Sequence, residues 1–579
     1  MLDLLIRGGT ILDGSGGEPI VGDLAIADGR IVSVGSRATD SARRTLDADG
    51  ALVTPGFVDV HTHYDAQVHW DPLVSPSSEH GVTTVVVGNC GLGLAPVRPG
   101  DRPALQGLLG GVEDIPQAAL EAGLAIRWED YPSYLQAIDD EPRSVDVAAL
   151  VGHAALRLFA MGPERAFSDA AKNAATDAEI AAMGRMLEAG LAAGALGFST
   201  SRSRLDRDFE GRTTPTCFAS DAETEALGRV LTASGRGVFQ LVFRGAAGDE
   251  PERLEEELAF MRRIAVSTRR PVTFGLAQLD AIPDRWQRVF EVAGEARAEG
   301  LALRPQTLGR MQTILVGLET VHPFAYRPSY RAILGLPLSE RVARMRDPEL
   351  RAQILREEPG PPSADDPYSG LFRYAPERIF PIEATPDYEP GPEKSLAALA
   401  RARGKAPLEL FYDLLLEDEG RRLFFFAVAN YHGGDHSVAR AMLAHPASLV
   451  GLADGGAHSG MICDTGQPTF LLTHWGRDRS RGPRFAMGEV VRRLSDEPAS
   501  VFGLGDRGRL APGLRADVNV IDPQALALLP PRIARDLPAG ARRLVQGARG
   551  YVATFVAGVQ TRADGADTGA RPGRLARAR

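Results

Sequence analysis

The stretch Gly56–Asp65 reads GFVDVHTHYD. Side chains alternate faces along a strand, so Phe57, Asp59, His61 and His63 point one way and Val58 and Val60 the other. Two imidazoles on one face at a strand end can close on a single metal ion. The plainer alternative is a pair of strand-end histidines that only hydrogen-bond to their neighbours. The surrounding chain decides between the two.

Upstream, LDLLIRGGTILD (2–13), GDLAIADGRIVSVG (22–35) and TLDADGALVTPG (45–56) alternate apolar residues with turn dipeptides. That is the texture of short hairpins. The same texture returns in GRLAPGLRADVNVIDP (508–523) and ARGYVATFVAGVQTR (548–562). One small β-sandwich domain built from both termini is expected, over residues 1–54 and 501–562. The last residues, 563–579, are expected to be a disordered basic tail.

Downstream of the histidines, eight apolar runs read as strands: GFVDVHTH, TTVVVGNC, DVAALVGH, ALGFSTS, GVFQLVF, PVTFGLAQ, LALRPQ and SLVGLADGG. Helical periodicity appears between them at 177–194, 221–235 and 285–300. Strands alternating with helices predict an α/β fold, a (β/α)8 TIM barrel over 55–500. About 140 residues separate the last two strands, too many for one crossover. An inserted lid or subdomain is expected at 308–425, with the Pro-rich patches EEPGPPSADDPYSG (357–370) and PDYEPGPEKS (386–395). In a barrel the last strand closes on the first, so Asp454 of GLADGG would face His61 and His63 across the mouth.

Composition sets the outer limits. Of 579 residues 44% are hydrophobic and 24% charged, which fits a globular chain. A net charge of −10 argues against a nucleic-acid partner. No apolar run approaches the roughly 18 residues of a membrane span, and the N-terminus lacks a secretory signal, so a cytoplasmic protein is expected. Three cysteines (Cys90, Cys217, Cys463) give no disulfide framework. Only three lysines occur (Lys172, Lys394, Lys405), leaving 62 of the 65 basic residues as arginine.

The sequence resembles the amidohydrolase superfamily over nearly its full length, through the terminal β-domain, PGFVDVHTH, GLADGG and GRLAPGLRADVNVID. Within it, TTVVVGNCGLG, VGHAALR, GALGFSTS and FVAGV are most similar to the N-acyl-D-amino-acid deacylase (D-aminoacylase-like) group. The resemblance implies zinc held by His61, His63, Asp454 and Cys90, the last being the group's cysteine ligand. It implies that Asp454 also shuttles a proton while a metal-activated water attacks the amide of an N-acyl amino acid. A carbamate-bridged pair of metals is excluded, because GALGFSTSRSR at strand four carries no lysine. Strands five and six also lack the histidines that the group places there: GVFQLVFRG and VTFGLAQLD have none. Gln240, Gln278 and Gln306 stand at or near strands five to seven, and glutamine is a poor zinc ligand. One ion per chain is therefore expected, although another divalent metal would fit.

The partner expected is a small molecule carrying a carboxylate, because arginines crowd the predicted mouth: Arg157, Arg202, Arg204, Arg244, Arg304 and Arg310. Arg244 stands where the group's motif carries its arginine and is preferred, with Arg202 beside it. His153, Gln240, Gln278 and His458 are further candidates for touching substrate, each with a purely structural alternative. His432, His436 and His474 stay with that alternative. Other readings of the same site are hydrolysis of a cyclic amide or an ester, a lyase, or a non-catalytic binding paralogue. A homo-oligomer is compatible with the sequence.

Overall fold

The computed structural model describes residues 1–37, 41–360 and 374–578. The two expected units meet at Gly56. Before it, Leu52–Pro55 belongs to a sheet shared by both chain ends, and after it Phe57–Asp59 opens a series of parallel strands. A Cβ on Gly56 would stand 2.2 Å from the Thr83 hydroxyl, so the chain passes the neighbouring strand only as glycine.

Among the described residues the terminal sheet has nine strands, five from the N-terminal side and four from the C-terminal side. The seam is the antiparallel pair Leu52–Pro55 with Val518–Ile521, Val53 opposite Val520. Where a sandwich is expected, hydrogen bonds join all nine strands into one sheet. Its apolar face buries Leu4, Ile6, Ile26, Val53, Val518 and Phe555 together. Asn519 Nδ2 donates to Gly81 O (2.8 Å) and the Tyr551 hydroxyl to His80 O (2.9 Å), tying the sheet to the parallel strands.

The parallel strands are Phe57–Asp59, Val82–Val87, Asp146–Ala149 continued by Val151–Gly152, Gly197–Ser201, Val238–Val242, Val272–Gly275, Leu303–Thr307 and Leu449–Val450. Each pairs in parallel with the next. The last returns to the first through the Thr62–Gly455 bridge, with His63 N–H donating to Gly455 O at 2.7 Å. Every residue of Val82–Val87 is buried, as expected for a parallel strand covered on both faces. Helices Asp177–Ala193, Asp221–Ser234, Leu254–Thr268 and Arg285–Ala298 fill the connections. Sequence punctuation sets their ends: Thr176 and Glu179 form a reciprocal capping box, and Gly194 ends that helix at φ 116°. The fold is α/β.

Between Leu303–Thr307 and Leu449–Val450 the chain builds an antiparallel sheet of Gln312–Val316, Ile379–Pro381 and Phe424–Ala429 with helices around it. This inserted region has its own apolar cluster, including Phe324, Met345, Phe411 and Phe424. Of its Pro-rich patch 357–370, residues 361–370 lie outside the described residues. Arg378 pairs with Asp280 at 2.9 Å, fastening the insertion to the loop after the sixth parallel strand.

The chain end departs from the expected disordered tail. Gly573 bridges Arg143, Leu575 pairs with Val147, and Ala578 N–H donates to Gly194 O at 3.2 Å. Leu575 and Ala576 are buried against the N-terminal ends of the parallel strands. Two apolar residues in a basic, Gly-rich stretch are enough to dock it.

Candidate metal centre

His61, His63, Cys90 and Asp454 converge at the C-terminal ends of the first, second and last parallel strands. Cys90 Sγ lies 3.3 Å from His61 Nε2 and 3.9 Å from His63 Nε2. Asp454 Oδ1 lies 3.4 Å and 3.8 Å from the same two nitrogens. Ligands about 2.0–2.3 Å from one tetrahedral zinc stand roughly 3.3–3.7 Å apart. His61, His63 and Cys90 each offer a donor atom within 4.8 Å of the others, a cluster that suits zinc in kind, and Asp454 adds an oxygen near both imidazoles.

Two of these residues sit in the left-handed region, Cys90 at φ 56° and Asp454 at φ 48°. Non-glycine residues adopt it only when neighbours hold them there. Gln240 Oε1 accepts the Cys90 N–H at 2.9 Å, and Asp454 N–H donates to His61 O at 3.1 Å. The Cys90 loop also needs room. A Cβ on Gly152 would fall 2.0 Å from Leu92 O, so glycine lets the GNCGLG turn lie on the third strand.

The imidazoles are aimed from behind. Gln306 Oε1 accepts from His61 Nδ1 at 2.6 Å, while its own amide donates to Thr273 Oγ1 at 2.9 Å. With the proton on Nδ1, the Nε2 lone pair faces Cys90 and Asp454. Burial lowers the His61 pKa to about 4 against the opposing Gln306 bond, and lowers His63 further below its usual range, so both rings are neutral.

The acids show the opposite strain. Burial, then the neighbouring Glu113, Asp454 and Asp206, push the Cys90 thiol well up. Burial raises Asp454 to about 6 and Asp59 to about 7. Asp59 Oδ2 and Asp65 Oδ1 are buried without a hydrogen-bond partner. So many crowded acidic groups call for a cation.

The remaining candidates divide. Gln240 reaches the site as the anchor of Cys90, and His458 stands beside it, close enough for its charge to act on Asp454 and His63. Arg244 is half-buried, and its Nε is buried with no hydrogen-bond partner. Among the described residues no carboxylate forms an ion pair with it.

Three candidates are corrected. His153 is 0% exposed, with Nδ1 on Thr200 Oγ1 (2.9 Å) and Nε2 on Glu223 (3.0 Å), because it opens the helix His153–Met161 instead of extending the strand. Arg202 is spent on Glu257 and Asp221, each at 2.9 Å. The Gln278 side chain contacts Pro283 O (3.3 Å) and His432 N (3.4 Å), so it braces the insertion. Arg157, Arg304 and Arg310 are likewise paired, with Glu223, Glu497 and Asp464.

Sequence reading missed Glu113, which reaches His63 from the end of helix Arg102–Glu113. Its one signal is an acid closing the apolar run LLGGV.

A second group, Glu389, His436 and His474, also clusters. His436 Nε2 accepts the Met311 N–H at 2.9 Å, which puts its own hydrogen on Nδ1, the atom facing the cluster. Arg479 pairs with both Glu389 oxygens at 2.9–3.0 Å. This is a hydrogen-bonded ion network pinning the insertion to Leu471–Asp478.

Imidazoles, a thiol and a carboxylate gather at one end of the parallel strands, and its family and relatives make the protein a metal-dependent hydrolase of C–N bonds other than peptide bonds. The chain belongs to the amidohydrolase family, whose profile matches residues 44–562. It is 32% identical to an uncharacterised protein of Mycobacterium tuberculosis over 551 residues, covering 90% of this chain and 85% of the other. It is 28% identical to the D-aminoacylase of Alcaligenes xylosoxydans xylosoxydans over 533 residues, covering 91% and 89%. Among solved structures it resembles the N-acyl-D-glutamate deacylase of Bordetella bronchiseptica complexed with zinc and a phosphonate inhibitor. That match has a TM-score of 0.63 and 28% identity over 100% of both chains. Among the described residues no helix is long and apolar enough to cross a membrane.

Proposed function

We propose that this protein deacylates N-acyl amino acids on one zinc ion held by His61, His63, Cys90 and Asp454, in the mouth of a closed (β/α)8 barrel. The observation that carries the reading is the cluster of His61, His63 and Cys90, whose donor atoms lie within 4.8 Å of one another, with Asp454 Oδ1 3.4 Å and 3.8 Å from the two imidazoles. Relatives with deacylase names, one solved with zinc, support it. A single ion follows from the fifth and sixth strands, which offer Gln240 and Thr273 inward and no histidine.

Zinc, when bound, lowers the pKa of water and polarises a carbonyl. The protein's residues do the rest. Asp454 accepts the proton of the attacking water and returns it to the leaving amine. Gln306 keeps the His61 lone pair directed inward. Arg244, a mouth arginine with no ion-pair partner among the described residues and the one that stands at the family motif's arginine, holds the substrate carboxylate.

The test is metal analysis with a substrate panel. The purified protein is expected to carry about one zinc per chain, lost in His61→Ala/His63→Ala, and to release free amine and acid from an N-acyl amino acid. Full activity in metal-free protein, or carbon dioxide as product, overturns the reading. Arg244→Ala is expected to raise KM about 10–100-fold, the worth of a charge-assisted bond, with metal content unchanged. An unchanged KM removes Arg244 from that role.

A further inference from the structure

We infer that Glu113 is a positioning residue of this centre, fixing His63 from behind and referencing it to the loop that carries Asp454. The inference rests on the reading of His61, His63, Cys90 and Asp454 as metal ligands.

Glu113 is 2% exposed, and a buried carboxylate is costly unless paired. Among the described residues its ion-pair partners are two histidines: His63 Nδ1 at 3.1 Å and His458 Nε2 at 3.9 Å. No arginine or lysine pairs with it there. The contact to His63 is close but lacks the alignment of a full hydrogen bond, and Nδ1 is buried with no hydrogen-bond partner. His63 turns its other nitrogen to Cys90 and Asp454. Glu113 therefore occupies the outer side of a ligand imidazole, 3.1 Å from its Nδ1, the place from which a carboxylate orients a metal-bound ring and raises its basicity.

The helix end is locked in place. Glu113 O accepts the His458 N–H at 2.5 Å. Asp114, at φ 51°, accepts the Gly460 N–H on Oδ2 (2.9 Å) and the Ser459 hydroxyl on its backbone oxygen (2.5 Å). These bonds fasten the helix to residues 458–460, just beyond Asp454. One helix end thus registers a ligand from the first strand against one from the last.

The experiment compares wild type, Glu113→Gln, Glu113→Ala, Glu113→Asp and His63→Ala by zinc competition against a chromophoric chelator. The visible spectrum of each cobalt-substituted protein is the second readout. Glu113→Ala is expected to weaken zinc binding about 10–100-fold, with Glu113→Gln intermediate and Glu113→Asp closest to wild type. The cobalt bands should shift in the same order, while the near-isosteric Glu113→Gln keeps the wild-type melting temperature. If His63→Ala loses zinc but every Glu113 variant binds it within threefold of wild type with unchanged cobalt bands, the inference is overturned alone. If His63→Ala binds zinc as wild type does, the metal-centre reading falls and takes the inference with it.

Discussion

Asp454→Asn is expected to weaken zinc binding, because a neutral oxygen replaces an anionic ligand, and at saturating zinc still to lower kcat by roughly 10²–10⁴-fold with KM close to wild type. The substitution is informative because asparagine shares aspartate's tolerance of the left-handed backbone, so φ 48° is kept. The bond from its N–H to His61 O survives as well. A carbonyl oxygen remains at the position of Oδ1, 3.4 Å from His61 Nε2. The capacity to take a proton is lost, and with it the negative charge offered to zinc. Steady-state kinetics on a hydrolysed N-acyl amino acid, with metal analysis of the same preparation, separate the roles. A kcat within threefold of wild type would remove Asp454 as the proton carrier. Full recovery of kcat on adding zinc would leave Asp454 as a ligand alone.

Much of this arrangement was legible before any coordinates. The parallel strands fall within or against the eight apolar runs because strands covered on both faces must be continuously apolar. His61 and His63 were legible because strand periodicity alone puts them on one face, and Asp454 because ring closure brings last strand to first. What failed depends on contacts that local pattern does not encode. His153 looks like a strand-end ligand, but the chain turns helical at that residue and points it at Glu223. Arg202 and Arg244 look alike in sequence; only tertiary pairing with Glu257 and Asp221 consumes the first. Glu113 was hidden because it lies 50 residues from His63, on a helix whose periodicity says nothing about what its last turn faces. The docked tail was missed because composition outweighed Leu575 and Ala576.

The arginine excess points to the second large effect, on stability. Arg507 is 7% exposed and Asp146, at the start of the third strand, 1%. Arg507 Nη1 donates to Asp146 Oδ2 at 2.6 Å and to Thr84 Oγ1 at 2.9 Å. Asp146 Oδ1 accepts from Arg515 at 2.9 Å and from the tail's Arg574 N–H at 2.8 Å. Arg515 continues to Asp517, beside the seam strand of the terminal sheet, at 3.2 Å. One buried carboxylate thus joins the parallel strands, the shared sheet and the chain end. Burial works against the Arg507 charge, yet Asp146, Asp517 and Asp506 hold its proton more firmly than usual. Arg507→Met keeps the apolar stem but leaves Asp146 and Asp517 buried with Arg515 as their remaining cation. Breaking such a pair costs about 3–5 kcal/mol, because a desolvated charge is left uncompensated. The loss should appear in denaturant unfolding and persist in about 1 M salt, which screens exposed pairs but not buried ones. Arg7→Met, which removes an exposed pair with Asp47, is the control, expected to change stability by less than about 1 kcal/mol. If the two variants cost the same, the Arg507 network does not join the units.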